Sequence, residues 1–170
     1  MAPSIPLDPT ASYLITGGLG ALGLQVAQSL ANDGAKQLVL VGRRTPDPKA
    51  QAKIAALVAQ GITVTTKSVD LTDRDAVADL MATLPQLKGI VHCAGTLKDK
   101  LLAQAQWDDF APVLGPKVTG TWLLHDYSKR LKLDFFVLFS SVASLLGSLA
   151  RVIMPWPIVL WTRSATIVGS

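Results

Sequence analysis

Three glycines, Gly17, Gly20 and Gly23, follow the apolar run Tyr13-Leu-Ile-Thr16 and lead into helical spacing over residues 22–30. Strand, glycine turn and helix in that order can hold a pyrophosphate. Gly17 and Gly20 can take backbone angles that bar a Cβ and let the main chain approach phosphate oxygens. Gly23 lets the helix pack close to the strand, and the helix's unpaired N–H groups point at the anion. A plain glycine turn is the alternative, but its place between a strand and a helix favours a dinucleotide bound around Thr16, Gly17, Gly18, Leu19, Gly20 and Leu22. A second group, Val41-Gly-Arg-Arg44, closes the next apolar run. The end of the second strand in such folds meets the adenosine ribose, where a carboxylate pairs with a free 2′-hydroxyl and arginines pair with a 2′-phosphate. Gly42, Arg43 and Arg44 stand there without an acid, which favours NADPH over NADH; solvated loop charges are the alternative. Asp70, followed by Leu71, is placed either to accept from an adenine amino group or to cap the approach to a helix.

The remaining candidates lie further along. In His92-Cys-Ala-Gly95, the small Ala94 and Gly95 let backbone line a nicotinamide ribose. His92 and Cys93 raise metal or nucleophilic chemistry. There is no second cysteine, and His125 belongs to a separate helix, so packing roles are favoured for both. Lys117, in Gly-Pro-Lys-Val-Thr-Gly120, stands at a helix start, and Ser140 and Ser141 end the fifth strand, at the carboxyl edge where open α/β sheets place their sites. A hydroxyl there can hydrogen-bond a substrate carbonyl. A nearby lysine stabilises a developing alkoxide and lowers the pKa of a proton donor. Taken singly, each is more often a cap or a surface charge.

The elements that must position these groups alternate. Strands are expected at residues 12–15, 37–41, 62–69, 88–92 and 133–139. Helices are expected from 21 to about 33 with Gly34 closing, over 49–60 with Ile54, Leu57 and Val58 on one face and Gly61 closing, over 72–84 with Thr72 as N-cap and Asp75 as its partner, and within 107–129. Pro112 and Pro116 are placed to start turns in that last stretch. The alternation implies parallel βαβ units: an α/β, Rossmann-type doubly wound parallel sheet of about five strands in the order 3-2-1-4-5, incomplete at its C-terminus. Residues 1–11 read as a Pro-rich linker, 12–148 as the NADP-binding domain, and 149–170 as an aberrant apolar tail. With 49% hydrophobic and 16% charged residues in 170, the chain suits one domain with a core. Its net charge of +4 is scattered, which argues against nucleic acid, and one cysteine suits a reducing cytoplasm. The start carries no basic, apolar leader, and the run 152–161 is too short and too broken by Pro155 and Pro157 to span a membrane.

Together these segments resemble the ketoreductase domain of modular polyketide synthases, a branch of the short-chain dehydrogenase/reductase superfamily. The resemblance covers about residues 11–148 and is carried by YLITGGLGALG, LVLVGRR, VDLTDRDAV, LKGIVHCAGTLKD, VLGPKVTGTWLLH and LDFFVLFSSVASLLGS, in order and at the family's spacing. It implies that Lys117 and Ser141 are the catalytic lysine and serine. It also implies that NADPH reduces a β-ketoacyl thioester held on an acyl carrier protein, beside other synthase domains. Leu97 and Asp99 match the ends of the Leu-Asp-Asp motif of B-type reductases, and Leu146 stands where A-type enzymes carry tryptophan.

After Ser148 the pattern breaks. Met154 takes the place of the family's proton-donating tyrosine and Ile158 that of its asparagine, and two prolines oppose the family's helix. Joining the third base of each codon to the first two of the next explains this. Met154 with Pro155 must then encode Ala, Trp156 with Pro157 Ala, and Trp161 with Thr162 Asp. With permitted codons elsewhere, the shifted frame reads Pro-Gly-Gln-Gly-Asn-Tyr-Ala-Leu-Ala-Asn, the missing segment. A one-base loss near Ser148 is therefore expected; the alternative is a divergent C-terminus packed on the sheet. Three readings of the chain follow: a reductase with residual activity, a fragment that holds NADPH without its proton donor, or a non-catalytic structural module. The second is favoured. Loss of the family's helix should also leave the fifth strand and residues 107–129 partly uncovered.

Overall fold

Alternate residues of the apolar strands are buried in two separate clusters. Tyr13, Ile15, Leu38 and Leu40 pack in one, Leu14, Val39, Val41 and Ile90 in the other. Successive strand side chains point to opposite faces, so both faces of the sheet are covered, as a parallel sheet requires. The computed structural model describes residues 7–84, 86–95 and 106–139. Its strands β1 (Ser12–Thr16), β2 (Gln37–Gly42), β3 (Thr63–Ser68), β4 (Leu87–His92) and β5 (Phe135–Leu138) form one parallel sheet ordered β3-β2-β1-β4-β5. The expected strand order is the observed one.

Helices α1 (Ala21–Asn32) and α2 (Pro48–Ala59) cover the first face through Leu24, Ala27, Ala50 and Leu57. Helices α3 (Arg74–Ala82) and α5 (Gly120–Ser128) cover the second through Val77, Leu80, Leu123 and Leu124. At the ends of α1 and α2, Gly34 N–H meets Ala31 O, Ala35 N–H meets Leu30 O, Gly61 N–H meets Val58 O and Ile62 N–H meets Leu57 O. This paired pattern satisfies the last carbonyls of each helix. The aspartate Asp47 caps α2 by accepting from Ala50 N–H at 2.7 Å, with Pro48 in the first turn.

Several local expectations are corrected. The N-cap of α3 is Asp73, whose carboxylate accepts from Asp75 and Ala76 N–H. Thr72 is instead drawn back to Asp70, donating both its N–H and its hydroxyl to Oδ1. A carboxylate is the stronger acceptor, so the cap moves one residue on. Val58 does not share the buried face of Leu57: it is half exposed, whereas Leu57 is buried. Leu7 and Ala11, in the stretch expected as a linker, are buried against the first cluster. Pro112 lies inside α4 (Trp107–Leu114) rather than starting a turn, and Pro116 sits in a π-helical turn, Gly115–Thr119, that joins α4 to α5. The helix is widened there to π-helical spacing, seen in the bond from Gly120 N–H to Gly115 O.

Candidate cofactor and active site

A cleft of about 530 Å³ opens at the carboxyl ends of β1 and β4, where the strand order reverses direction and the following helices leave for opposite faces. Five pieces of chain line it: the turn after β1 with the start of α1, the segment from Val41 to Asp47, residues 69–71, Cys93 to Gly95, and Pro116. Backbone bonds fasten the floor. Gly18 N–H donates to Val41 O at 3.1 Å and Cys93 N–H to Thr16 O at 2.9 Å.

The turn is built for close approach. Gly17 has φ +66°, and a Cβ there would stand 2.7 Å from the Ala94 nitrogen. A Cβ on Gly23 would lie 2.6 Å from Gly18 Cα, so α1 can sit this near β1 only with glycine there. The expectation for Gly20 is corrected: its φ of −82° is open to any residue, and it serves as the N-cap of α1. No side chain caps α1, while Asp47 and Asp73 cap α2 and α3. The first N–H groups of α1 therefore stay oriented for an anion. Leu19, Gly20 and Leu22 line the cleft with Gly17. Thr16 and Gly18 lie behind it. Thr16 is fully buried, and a Cβ on Gly18 would stand 2.6 Å from Ile15 O.

Gly42, Arg43 and Arg44 form one end of the cleft, beside Asp70 and Leu71. The Thr72 hydrogen bonds hold the Asp70 carboxyl below the usual range, and the Arg43 charge lowers it further. Asp47, beside the arginines, spends Oδ1 on the cap of α2. Ala94 and Gly95 line the other end. Lys117, on the π-helical turn, is 7% exposed and lies against that end. A Cβ on Gly95 would stand 2.9 Å from its Cε and 3.3 Å from its Nζ. Burial pulls its pKa down, and the neighbouring Cys93 thiol, pushed up to about 11 by burial, is neutral at pH 7. Ser140, Ser141, Leu97, Asp99, Leu146, Met154 and Ile158 lie outside the described residues. The sequence reading missed Ala21, Gly23, Val41, Thr45, Asp47, Val69, Cys93 and Pro116 as lining. All but Pro116 lie close in sequence to predicted cofactor residues, whereas Pro116 arrives through the π-helical turn, which no local pattern announces.

A family model described as the KR domain matches residues 11–152. The chain belongs to the KR-domain family. Its similarity is to polyketide synthase ketoreductases, within the short-chain dehydrogenase/reductase superfamily. The chain is 43% identical over 160 residues to 6-methylsalicylic acid synthase of Aspergillus terreus, and 40% identical over 166 residues to 5-methyl-1-naphthoate synthase of Streptomyces sahachiroi. These matches span 82% and 86% of this KR chain but 9% of each synthase. A ketoreductase domain from the bacillaene assembly line superposes with a TM-score of 0.83 at 33% identity, covering 91% of this chain and 40% of that one. An A-type ketoreductase of a modular polyketide synthase superposes with a TM-score of 0.82 at 36% identity, covering 93% of this chain and 35% of that one. Among the described residues of this KR chain no helix is long and apolar enough to cross a membrane, and no cluster of metal-ligating side chains occurs.

Proposed function

We propose that this chain holds NADPH in the cleft and derives from a reductase of β-ketoacyl thioesters carried on an acyl carrier protein. The observation that carries the reading is the turn at Gly17, with its positive φ and its main chain pressed against Ala94, beneath an α1 terminus that no side chain caps. A diphosphate fits this cradle. Arg43 and Arg44 would hold the 2′-phosphate, Asp70 the adenine amino group, and Ala94 and Gly95 the nicotinamide ribose. When bound, the reduced nicotinamide supplies hydride. In the parent reductase Lys117 would place positive charge where an alkoxide develops and lower the pKa of the proton donor, and Ser141 would donate a hydrogen bond to the carbonyl oxygen. We assign the B-type configuration from Leu97, Asp99 and Leu146.

The proton donor is where this chain departs from its family. Met154 cannot donate a proton, and the family match stops at residue 152. We attribute residues 149–170 to a one-base slip near Ser148, since Ala, Ala and Asp are forced in the shifted frame. Loss of a positioned general acid costs about 10²–10⁴-fold. Titrating NADPH against its fluorescence should give weak binding, with NADH weaker still, and NADPH consumption with a β-keto thioester should stay below detection. No binding of either coenzyme would favour a structural module; robust turnover would show that the acid is supplied from elsewhere. Sequencing the DNA across codons 147–150 tests the slip separately, and an uninterrupted frame with no shifted tyrosine codon would defeat it.

A further inference from the structure

His92 is buried at 1% exposure at the end of β4 and takes no part in the chemistry described so far. Its ring is held from two sides. Nε2 lies 3.0 Å from the Pro116 carbonyl oxygen, and Nδ1 meets the Thr16 hydroxyl. A carbonyl only accepts, so Nε2 carries the proton. In the neutral ring, Nδ1 then accepts from the threonine hydroxyl. Thr16 immediately precedes Gly17, and Pro116 immediately precedes Lys117. One side chain thus links the strand that ends in the glycine turn to the turn that carries the lysine.

We propose that His92 is a positioning residue: through Thr16 and Pro116 it sets where the Lys117 amine stands relative to the nicotinamide end of the cleft. The inference rests on the reading of that cleft as a dinucleotide site with Lys117 at its reacting end. Three observations support it beyond the two hydrogen bonds. The π-helical turn interrupts regular helix at this place, and the Pro116 carbonyl within it meets the His92 ring from outside the helix. Lys117 is itself buried and packed on Gly95, which lines the cleft, so a small swing of the turn would move its amine relative to that end. Burial and the Lys117 charge hold His92 down to about 4, so the ring stays neutral beside the ammonium across ordinary pH. Among the described residues, the titratable groups facing Lys117 include this ring and the Cys93 thiol, both uncharged at pH 7.

The test uses the whole chain with Thr16→Val, Thr16→Ser and His92→Phe. The first removes a hydroxyl at nearly constant shape, which keeps the proposal testable should the histidine variant not fold. Two readouts are needed. Carbon-13-labelled lysine reports the Lys117 titration by NMR; fluorescence and calorimetry report affinity for NADPH and for 2′,5′-ADP, which lacks the nicotinamide half. Thr16→Val and His92→Phe should return Lys117 towards the ordinary lysine range and weaken NADPH about tenfold, with 2′,5′-ADP unchanged. Thr16→Ser should restore both values. Variants that melt earlier yet keep the wild-type Lys117 titration and the wild-type ratio of the two affinities would overturn the proposal and leave His92 a packing residue. Should the unaltered chain bind neither nucleotide, the cleft reading fails, while the Lys117 titration still decides the role of His92.

Discussion

Gly17 shows how much one residue can carry. Its left-handed backbone and its contact with Ala94 both exclude a side chain, so Gly17→Ala should destabilise the fold on the order of 3 kcal/mol and remove NADPH binding. Chemical denaturation and NADPH titration of that variant check the two effects. His92 gives a prediction of opposite character, because it concerns protons. Its folded pKa is depressed from 6.5 to about 4, mainly by burial, so the unfolded chain binds the proton more tightly. Stability is full above the unfolded value and is lost as pH falls from 6.5 towards 4, by on the order of 3 kcal/mol. The lowered carboxyls, Asp8, Asp70 and Asp126, start from 3.8 and lose their contribution below that window. Melting temperatures between pH 7 and pH ~4.5 should therefore fall, and should fall less in His92→Phe. The glycine turn and the arginines can be read from sequence because their chemistry is local. The Thr16–His92–Pro116 link cannot, since its members come together only through the β1–β4 pairing and the π-helical turn.

Elements follow the sequence where one force dominates. Alternating apolar runs and helix-closing glycines place β1 to β5, α1 and α2 to within a residue or two. Two places depart from expectation, each because neighbouring signals compete. In Asp70-Leu-Thr-Asp73, three residues can cap a helix; the Asp70 carboxylate takes Thr72, and Asp73 is left to start α3. Asp73→Ala should accordingly cost about 1 kcal/mol in thermal or denaturant unfolding, whereas Thr72→Ala should leave the α3 cap intact. The second place is the Pro112–Pro116 stretch, where prolines read as turn starters are absorbed by helix. Periodicity cannot foresee this, because the widened turn depends on what packs against it. The most useful consequence of that distortion is functional: it brings Pro116 to the cleft wall and buries Lys117 beside it.

At the scale of the molecule, the described residues of this KR-domain chain form the five-stranded sheet and the cleft at its carboxyl edge. The chain spans about a tenth of its curated relatives' length. Trp122, 63% exposed, and Val118 share a helical face, and Val137 of β5 is also exposed. Self-association is the expected result; light scattering should find it reduced in Trp122→Gln, whereas a monodisperse unaltered chain would count against it. What the cleft holds decides the function of the chain. A crystal structure with NADPH tests it most directly. The diphosphate should lie over the Gly17 turn at the start of α1, with the 2′-phosphate between Arg43 and Arg44 and the nicotinamide beside Lys117. Coenzyme bound anywhere else on the chain, or reversed in the cleft, would contradict it.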